Sequence, residues 1–375
     1  MRFHILAVPH AVSVPEYSTC AFTQKVVKLC KLLTLRGHEV FHYGHEDSRV
    51  MCAEHVTVTT NTDLERSYPG HDWKIKGWPT FTWDDTIYKI FSANAIGEIQ
   101  KRKKPGDFLL CPFGAAHKMV ADLHTDMLVV ETGIGYPTGS FAKYRVFESY
   151  AVMHAYQGQK KIEFSSNDFW YDVVIPNYFD LDEFKFSAQK KDYFLFLGRV
   201  NDGKGAHIAQ QIADSTSTQL IMAGAYDGAN ENINKSKNVK LVGIVDPAKR
   251  AKLLTRARAV LCPSTFMEPF CGTQIEAMLS GTPVVSSDWG AFAEYNIHGL
   301  TGYRCRTYEH FVWAASHIHN IKPKDCRAWA ERFSLSNVGA MYDEYFKSLQ
   351  AIADGGWYAK RKGRTNLDHT TFDAR

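Results

Sequence analysis

One order of segments occurs twice in this chain and limits what it can fold into. An apolar run leads into a loop, the loop into a segment with apolar residues at helical spacing, and that segment into another apolar run. RFHILAVPH is followed by STCAFTQKVVKLCKLLTLRGHEV, where Val26, Val27, Leu29, Leu32, Leu33 and Leu35 recur at helical spacing, and then by the strand HEVFHYG. Ser18 or Thr19 is a natural N-cap for that helix and Gly37 a natural C′ residue. Strand, loop, helix, strand is the βαβ unit from which parallel sheets are built.

The alternation continues through a helix from Asp85 to Lys103, a strand at DFLLCPFG, a helix at AAHKMVADLH, a strand at MLVVETG and, after VFESYAVMHAYQG, a short strand at YDVVIPN. The segment YFDLDEFKFSAQKKD has no apolar periodicity, and the domain boundary is expected there. YFLFLGRVNDGKGAHIAQQIAD then restarts the pattern, with strands at QLIMAGA, VKLVGIV, AVLCPS, PVVSSD and GLTGYRC and helices at DPAKRAKLLTRA and GTQIEAMLSG. Helices at EHFVWAASHIHN and NVGAMYDEYFKSLQAIA close it. At 375 residues the chain suits two domains. The expected boundaries are 1–184, 185–340 and a closing helix and tail, 341–375, that returns to the first domain. Two parallel sheets in tandem imply a cleft between the carboxyl ends of their strands, where such sheets bind ligands.

Composition removes several classes of function. No stretch approaches the roughly 20 uncharged apolar residues of a membrane helix. MRFHILAVPH, with one Arg and a five-residue apolar run, is too short for a secretory leader, so a cytoplasmic protein without integral membrane association is expected. Eight scattered cysteines without a CxxC pair, and 16 histidines with no HExxH spacing on any expected helix, give no metal site. A net charge of +4, with basic runs at QKRKKPGD and YAKRKGR, is mild for a nucleic-acid binder. Solvated helix ends account for both runs, and an anionic acceptor is the alternative.

Two stretches carry chemistry. In LGRVNDGKG, Gly198 and Arg199 follow a strand while Lys204 and Gly205 open the next helix. A helix N-terminus, glycines that let the backbone turn and two cations make a diphosphate site, against the alternative of a surface turn. In EPFCGTQIEA, Glu268 lies in a loop ahead of a helix expected to start near Gly272 or Thr273, with Glu276 in its first turn. The free amides near Phe270, Cys271, Gly272 and Thr273 form an anion cradle between two carboxylates able to accept hydroxyl hydrogen bonds. That combination suits a sugar nucleotide.

EPFCGTQIEAMLSGTPVVSSDWGAFAEYNIHGLTGY resembles the signature of the family 4 glycosyltransferases of GT-B fold, with two Glu flanking seven residues, an AMxxGxPVVxSxxGxxxE-like block and a GxxGY-like close. LGRVNDGKG is similar to that family's diphosphate loop, VIPNYFDLDEF to its interdomain linker and VKLVGIVD to its base loop. The resemblance implies two tandem Rossmann-like domains and a retaining, metal-independent transfer of a hexosyl or pentosyl group from a nucleoside-diphosphate sugar, with no cofactor. It puts Arg199 and Lys204 on the diphosphate, Glu276 on the ribose and Glu268 on the transferred sugar. The amides of Phe270 to Thr273 cover the sugar and β-phosphate, and Gly198, Gly243 and Ile244 line the nucleotide.

The sequence departs from the family at three places. VPHAVSVPEYSTCAF has no Gly-Gly pair, and Ser18 and Thr19 stand there instead. LVVETGIGYPTGSF lacks the family's His, which leaves Glu131, or His154 from a neighbouring element, as acceptor-side candidates. Cys271 occupies a position where the family has Gly. The first domain resembles the family only in its element order and RGHEV. The acceptor is therefore open among a saccharide, a lipid-linked sugar and a small molecule. Hydroxymethylated DNA is an alternative acceptor, and non-catalytic sugar-nucleotide binding an alternative function. The segment YPGHDWKIKGWPTFTWDD offers rings that would stack on a ligand or pack on their own domain.

Overall fold

The computed structural model describes residues 1–352 except 18–19, 137, 160–170, 227, 229–232 and 234–235. Contacts divide the chain into two units, Met1–Tyr178 with the segment from Leu335 onward, and Phe179–Ser334. Each is built on its own parallel sheet, giving the two tandem α/β units expected from the sequence.

The first unit has seven strands: β1 (Arg2–Leu6), β2 (Glu39–His45), β3 (Glu54–Thr59), β4 (Phe108–Leu110), β5 (Leu128–Ile134), β6 (Tyr144–Phe147) and β7 (Val173–Val174). Their spatial order is β3-β2-β1-β4-β5-β6-β7. Central strands of a parallel sheet are covered on both faces, which is why β4 is wholly apolar and why even His4 of β1 and Glu131 of β5 are buried. On one face, Val26, Leu29 and Leu33 of the helix Ala21–Leu35 pack with Tyr342 and Phe346 of the helix Leu335–Ile352 over Phe3 and Phe108. On the other, Phe91, Ala95 and Ile99 of the helix Thr86–Arg102 pack against Leu6, Tyr43 and Leu109. The closing helix thus returns to the first sheet, as the sequence predicts.

The second unit has six strands: β8 (Tyr193–Leu197), β9 (Gln219–Ala223), β10 (Val239–Leu241), β11 (Ala259–Cys262), β12 (Val284–Ser287) and β13 (Gly302–Cys305). Their order is β10-β9-β8-β11-β12-β13. In both units the chain reverses direction across the sheet beside the first strand, and ligands of such sheets bind outside the carboxyl ends at that point.

Two strands of the first unit were not expected. In β3, EHVTVT, only Val56 and Val58 are apolar, and β6, YRVF, is four residues long and includes a buried Arg145. The expected helix at AAHKMVADLH is a 3₁₀ turn, Gly114–His117, followed by a short helix, Lys118–Asp122. In the second unit an unexpected helix, Pro323–Ala330, starts on a proline, where the missing N–H costs nothing. The aromatic segment packs largely on its own unit: Trp73 stacks on Tyr17 at 4.6 Å and Phe81 on His10 at 4.4 Å, while Trp78 and Trp83 stay exposed. No described helix is long and apolar enough to cross a membrane.

Candidate functional site

The loops that leave β8, β9, β10, β11 and β12 gather at the carboxyl edge of the second sheet, and the residues singled out in the donor stretches lie on them. β8 ends at Leu197, and Gly198 N–H donates to Ala223 O at 2.9 Å, tying it to the end of β9. A Cβ on Gly224 would stand 1.8 Å from Gly198 O, so the two strand ends approach too closely for any side chain there. Gly224 N–H in turn donates to Gly243 O at 2.9 Å, which brings the base loop, with Gly243 and the half-buried Ile244, beside the same edge.

From Gly198 the chain passes through Arg199 to Lys204, whose N–H donates to Asn201 Oδ1 at 3.0 Å. Gly205, at φ +73°, is the N-cap of the helix Ala206–Ser215, and a Cβ on it would lie 2.0 Å from Pro263 O. The loop is therefore seated directly on the end of β11. That contact delivers Lys204 to Glu268: Lys204 Nζ donates to Glu268 Oε1 at 2.7 Å, and Ser264 Oγ donates to the same oxygen at 2.7 Å. The Glu268 side chain is 4% exposed and that of Lys204 25%, so a nearly buried carboxylate is matched by a cation with one side open to solvent. An ammonium has three donors, so Lys204 can hold Glu268 and still reach a phosphate oxygen. The backbone of Glu268 is fixed from behind, where Ala291 N–H donates to its carbonyl at 3.0 Å.

The helix Gly272–Leu279 begins right after this loop, with Cys271 as its N-cap. Gly272 and Thr273 open it, and such N–H groups have no intrahelical acceptor. Thr273 Oγ1 donates to Leu197 O at 3.3 Å, binding the helix start to the end of β8. Glu276 is the fifth residue, and the first turn holds no acidic residue, which corrects the expectation that Glu276 lies there. Its carboxylate curls back toward the helix start, because a Cβ on Gly272 would lie 4.0 Å from Glu276 Oε1. Glu276 Oε2 accepts from Arg250 Nη2, of the helix Pro247–Arg256. Phe270 contributes only backbone, since its ring is buried against Phe179, Tyr295 and Phe333.

Cys271 sits at φ +61°, a left-handed conformation that side chains other than Gly rarely adopt. Its thiol hydrogen-bonds that of Cys262, and this bond, with burial, pushes the Cys262 thiol well above its ordinary range. Cys271→Gly is expected to raise the melting temperature slightly, equivalent to ~0.5–1 kcal/mol, since relief of ~1–2 kcal/mol of strain outweighs the extra freedom of Gly in the unfolded chain. A fall in thermal unfolding midpoint would instead make the thiol contact the stronger term.

Of the acceptor-side candidates, Glu131 and His154 belong to the first unit. Ser18 and Thr19 fall outside the described residues. Glu131 is buried in β5, and its carboxylate accepts from Tyr136 Oη (2.8 Å), Ser140 Oγ (2.7 Å) and the N–H groups of Phe141 (2.9 Å) and Ala142 (2.8 Å). It organises the loop that follows its own strand, and burial raises its pKa against those donors. His154 is exposed on the helix Tyr150–Gln159. At the same sheet edge a buried pair, Lys25 and Glu148, went unrecognised in the sequence, and Lys25 Nζ also donates to Gly133 O at 2.7 Å, inside ETGIG.

Residues 179–332 match the family model described as glycosyl transferases group 1. A glycogen synthase of Mycobacterium tuberculosis is 31% identical over 148 residues, 36% of this chain and 36% of that protein. The chain spans less than half the length of the curated relatives it matches. Among solved structures, AviGT4, a glycosyltransferase involved in avilamycin A biosynthesis, superposes with a TM-score of 0.69 at 19% identity, over 94% of this chain and 98% of that one. Anabaena HepE in complex with UDP and glucose does so with a TM-score of 0.66 at 16% identity, over 93% and 100%. The chain thus has the GT-B fold, and its second unit is similar to the glycosyl transferases group 1.

Proposed function

We propose that this protein transfers a glycosyl group from a nucleoside-diphosphate sugar to a hydroxyl acceptor, with retention at the anomeric carbon and without a metal. The observation that carries the reading is the Lys204–Glu268 pair, at 2.7 Å, set between two helix starts at the carboxyl edge of the second sheet. In it Arg199 and Lys204 stabilise the diphosphate as its bond to the anomeric carbon breaks, the moment at which negative charge develops. These two cations supply that charge compensation, so the mechanism calls on no metal. Glu268 orients the hydroxyls of the transferred sugar. Glu276, itself oriented by Arg250, accepts from the ribose hydroxyls, and the amides of Gly272 and Thr273 meet the β-phosphate. The acceptor oxygen bonds to the anomeric carbon, and its proton leaves with the diphosphate.

UDP is the first nucleotide to try, because the HepE complex holds UDP and glucose. A thermal-shift panel of UDP-, GDP- and ADP-sugars is expected to single out one donor. Nuclear magnetic resonance of the product then reads the anomeric configuration. If no sugar nucleotide raises the melting temperature, the reading fails. Donor binding without turnover on any acceptor would make the chain a sugar-nucleotide binding protein.

A further inference from the structure

A cavity of about 810 Å³ opens within the first unit. Cavities of ~300–1,000 Å³ take small-molecule ligands, which covers one to three sugar rings. Its walls come from the loop after β1, the loop after β2 and the stretch from Asn61 to Pro79, so it lies at the carboxyl edge of the first sheet.

Its rim is acidic. Glu16, Glu46, Asp47, Glu65 and Asp72 line it, and Arg49 is the one lysine or arginine among the described lining residues. Arg49 pairs with Glu16 at 2.9 Å. Three of the carboxylates are held in place through one oxygen each. Glu46 Oε1 accepts from Asn61 N–H at 2.7 Å, Asp47 Oδ2 from the Asn61 side-chain amide at 2.9 Å and Glu65 Oε1 from Gly70 N–H at 3.0 Å. A carboxylate accepts about four hydrogen bonds, so each keeps capacity for a ligand. Trp73, stacked on Tyr17, and Tyr68 give the wall an aromatic side suited to the C–H face of a sugar.

One lining residue, His10, carries an orphan. His10 is 3% exposed, its ring is clamped by Phe81, and its Nδ1 lies 2.7 Å from Tyr88 Oη. Burial pushes the Tyr88 phenol up and lowers His10 to about 4, so the phenol keeps its proton and the imidazole is neutral. With Tyr88 donating to Nδ1, the imidazole hydrogen is on Nε2, and Nε2 has no partner among the described residues. A buried donor without an acceptor costs free energy that a ligand oxygen would recover.

We propose that this cavity is the acceptor site and that its ligand is a hydroxylated molecule bearing protonated amines, an aminated sugar or cyclitol. Only the word acceptor rests on the glycosyltransferase reading; the preference for a cation belongs to the cavity itself. The carboxylate rim attracts ammonium groups and repels carboxylates and phosphates, while the His10 N–H receives a hydroxyl oxygen. In the transfer, one ligand hydroxyl oxygen bonds to the anomeric carbon as that carbon's bond to the diphosphate breaks, and the hydroxyl proton departs with the diphosphate. The same rim disfavours a DNA acceptor.

Isothermal titration of the full chain at neutral pH with 2-deoxystreptamine, glucosamine, N-acetylglucosamine and glucuronate tests this. At least one of the two amines is expected to bind tenfold or more tightly than N-acetylglucosamine, with no heat from glucuronate. High salt should shrink that preference, because exposed charges are screened. Glu65→Gln combined with Asp47→Asn should reduce it to about threefold or less while leaving the sugar-nucleotide thermal shift unchanged. Should that double variant fail to fold, Glu65→Gln alone and the salt series on the unaltered chain decide. Equal binding of amine and acetamide, binding of glucuronate, or no binding by any probe overturns the proposal, whatever the donor panel shows. Amine binding together with a failed donor panel keeps the cationic site and removes the glycosyltransferase reading instead.

Discussion

Lys204→Met is expected to slow glycosyl transfer by roughly 100- to 1,000-fold, the usual effect of removing one group that stabilises charge in a transition state. The loss should fall on kcat more than on KM, since the ammonium matters most when the diphosphate departs. A second effect follows from the geometry. Glu268 is 4% exposed and shares one oxygen between Lys204 and Ser264, so without Lys204 a nearly buried carboxylate keeps, among the described residues, only the Ser264 hydroxyl as donor. Breaking a fully buried pair costs ~3–5 kcal/mol, and the exposed side of Lys204 makes about 1–3 kcal/mol the better expectation. Glu268→Gln added to Lys204→Met removes the stranded charge. The double variant should therefore regain thermal stability without regaining transfer. Steady-state kinetics beside thermal melts separate the two effects. Transfer within threefold of the unaltered chain would take Lys204 out of the reaction.

The second large effect is an acid transition of the first unit at a pH where the second is still folded. Burial lowers His42 to about 3 and His10 and His117 to about 4, and all three belong to the first unit. Each is neutral in the folded chain. As the pH falls through about 6.5 the unfolded chain takes up protons that the folded chain refuses, so stability is lost from there down to the folded values. One unit of difference corresponds to ~1.4 kcal/mol, which makes about 3–5 kcal/mol per histidine an upper limit. Three together approach the whole stability of an ordinary domain, ~5–15 kcal/mol. Glu131 and Asp172, whose pKa values burial raises, work the other way and offset part of the loss. No histidine of the second unit is buried. Fluorescence-detected melts from pH 7 to 4 should show one transition moving down first. A single transition unchanged until below pH 4 would contradict the expectation.

What could be read from the sequence divides along physical lines. Strands buried on both faces, such as FLL or AVLC, announce themselves as apolar runs, and helices between them by spacing. β3 and β6 did not, because EHVTVT has two apolar residues and YRVF is too short to show a period. Lys204 and Glu268 were legible, since each stands in a short stretch whose loop and helix start are written in order. Their meeting at 2.7 Å depends on Gly205 seating one loop on Pro263, which spacing alone does not reveal. Arg250 was not legible as the partner of Glu276, because the two come from separate helices. The acidic cavity is harder still: its carboxylates are spread from Glu16 to Asp72, and only folding collects them.

The helix Leu335–Ile352 has a consequence for how the molecule is made. Val338, Tyr342 and Phe346 complete the core that begins with Phe3 and Ile5, yet they are translated after all of Phe179–Ser334. On the ribosome the second unit can close as soon as it emerges, whereas the first must wait, with one face of its sheet uncovered, until the closing helix arrives. Of the two units, the one whose synthesis starts earlier is therefore the later to become native, and over that interval it is the one more in need of a chaperone.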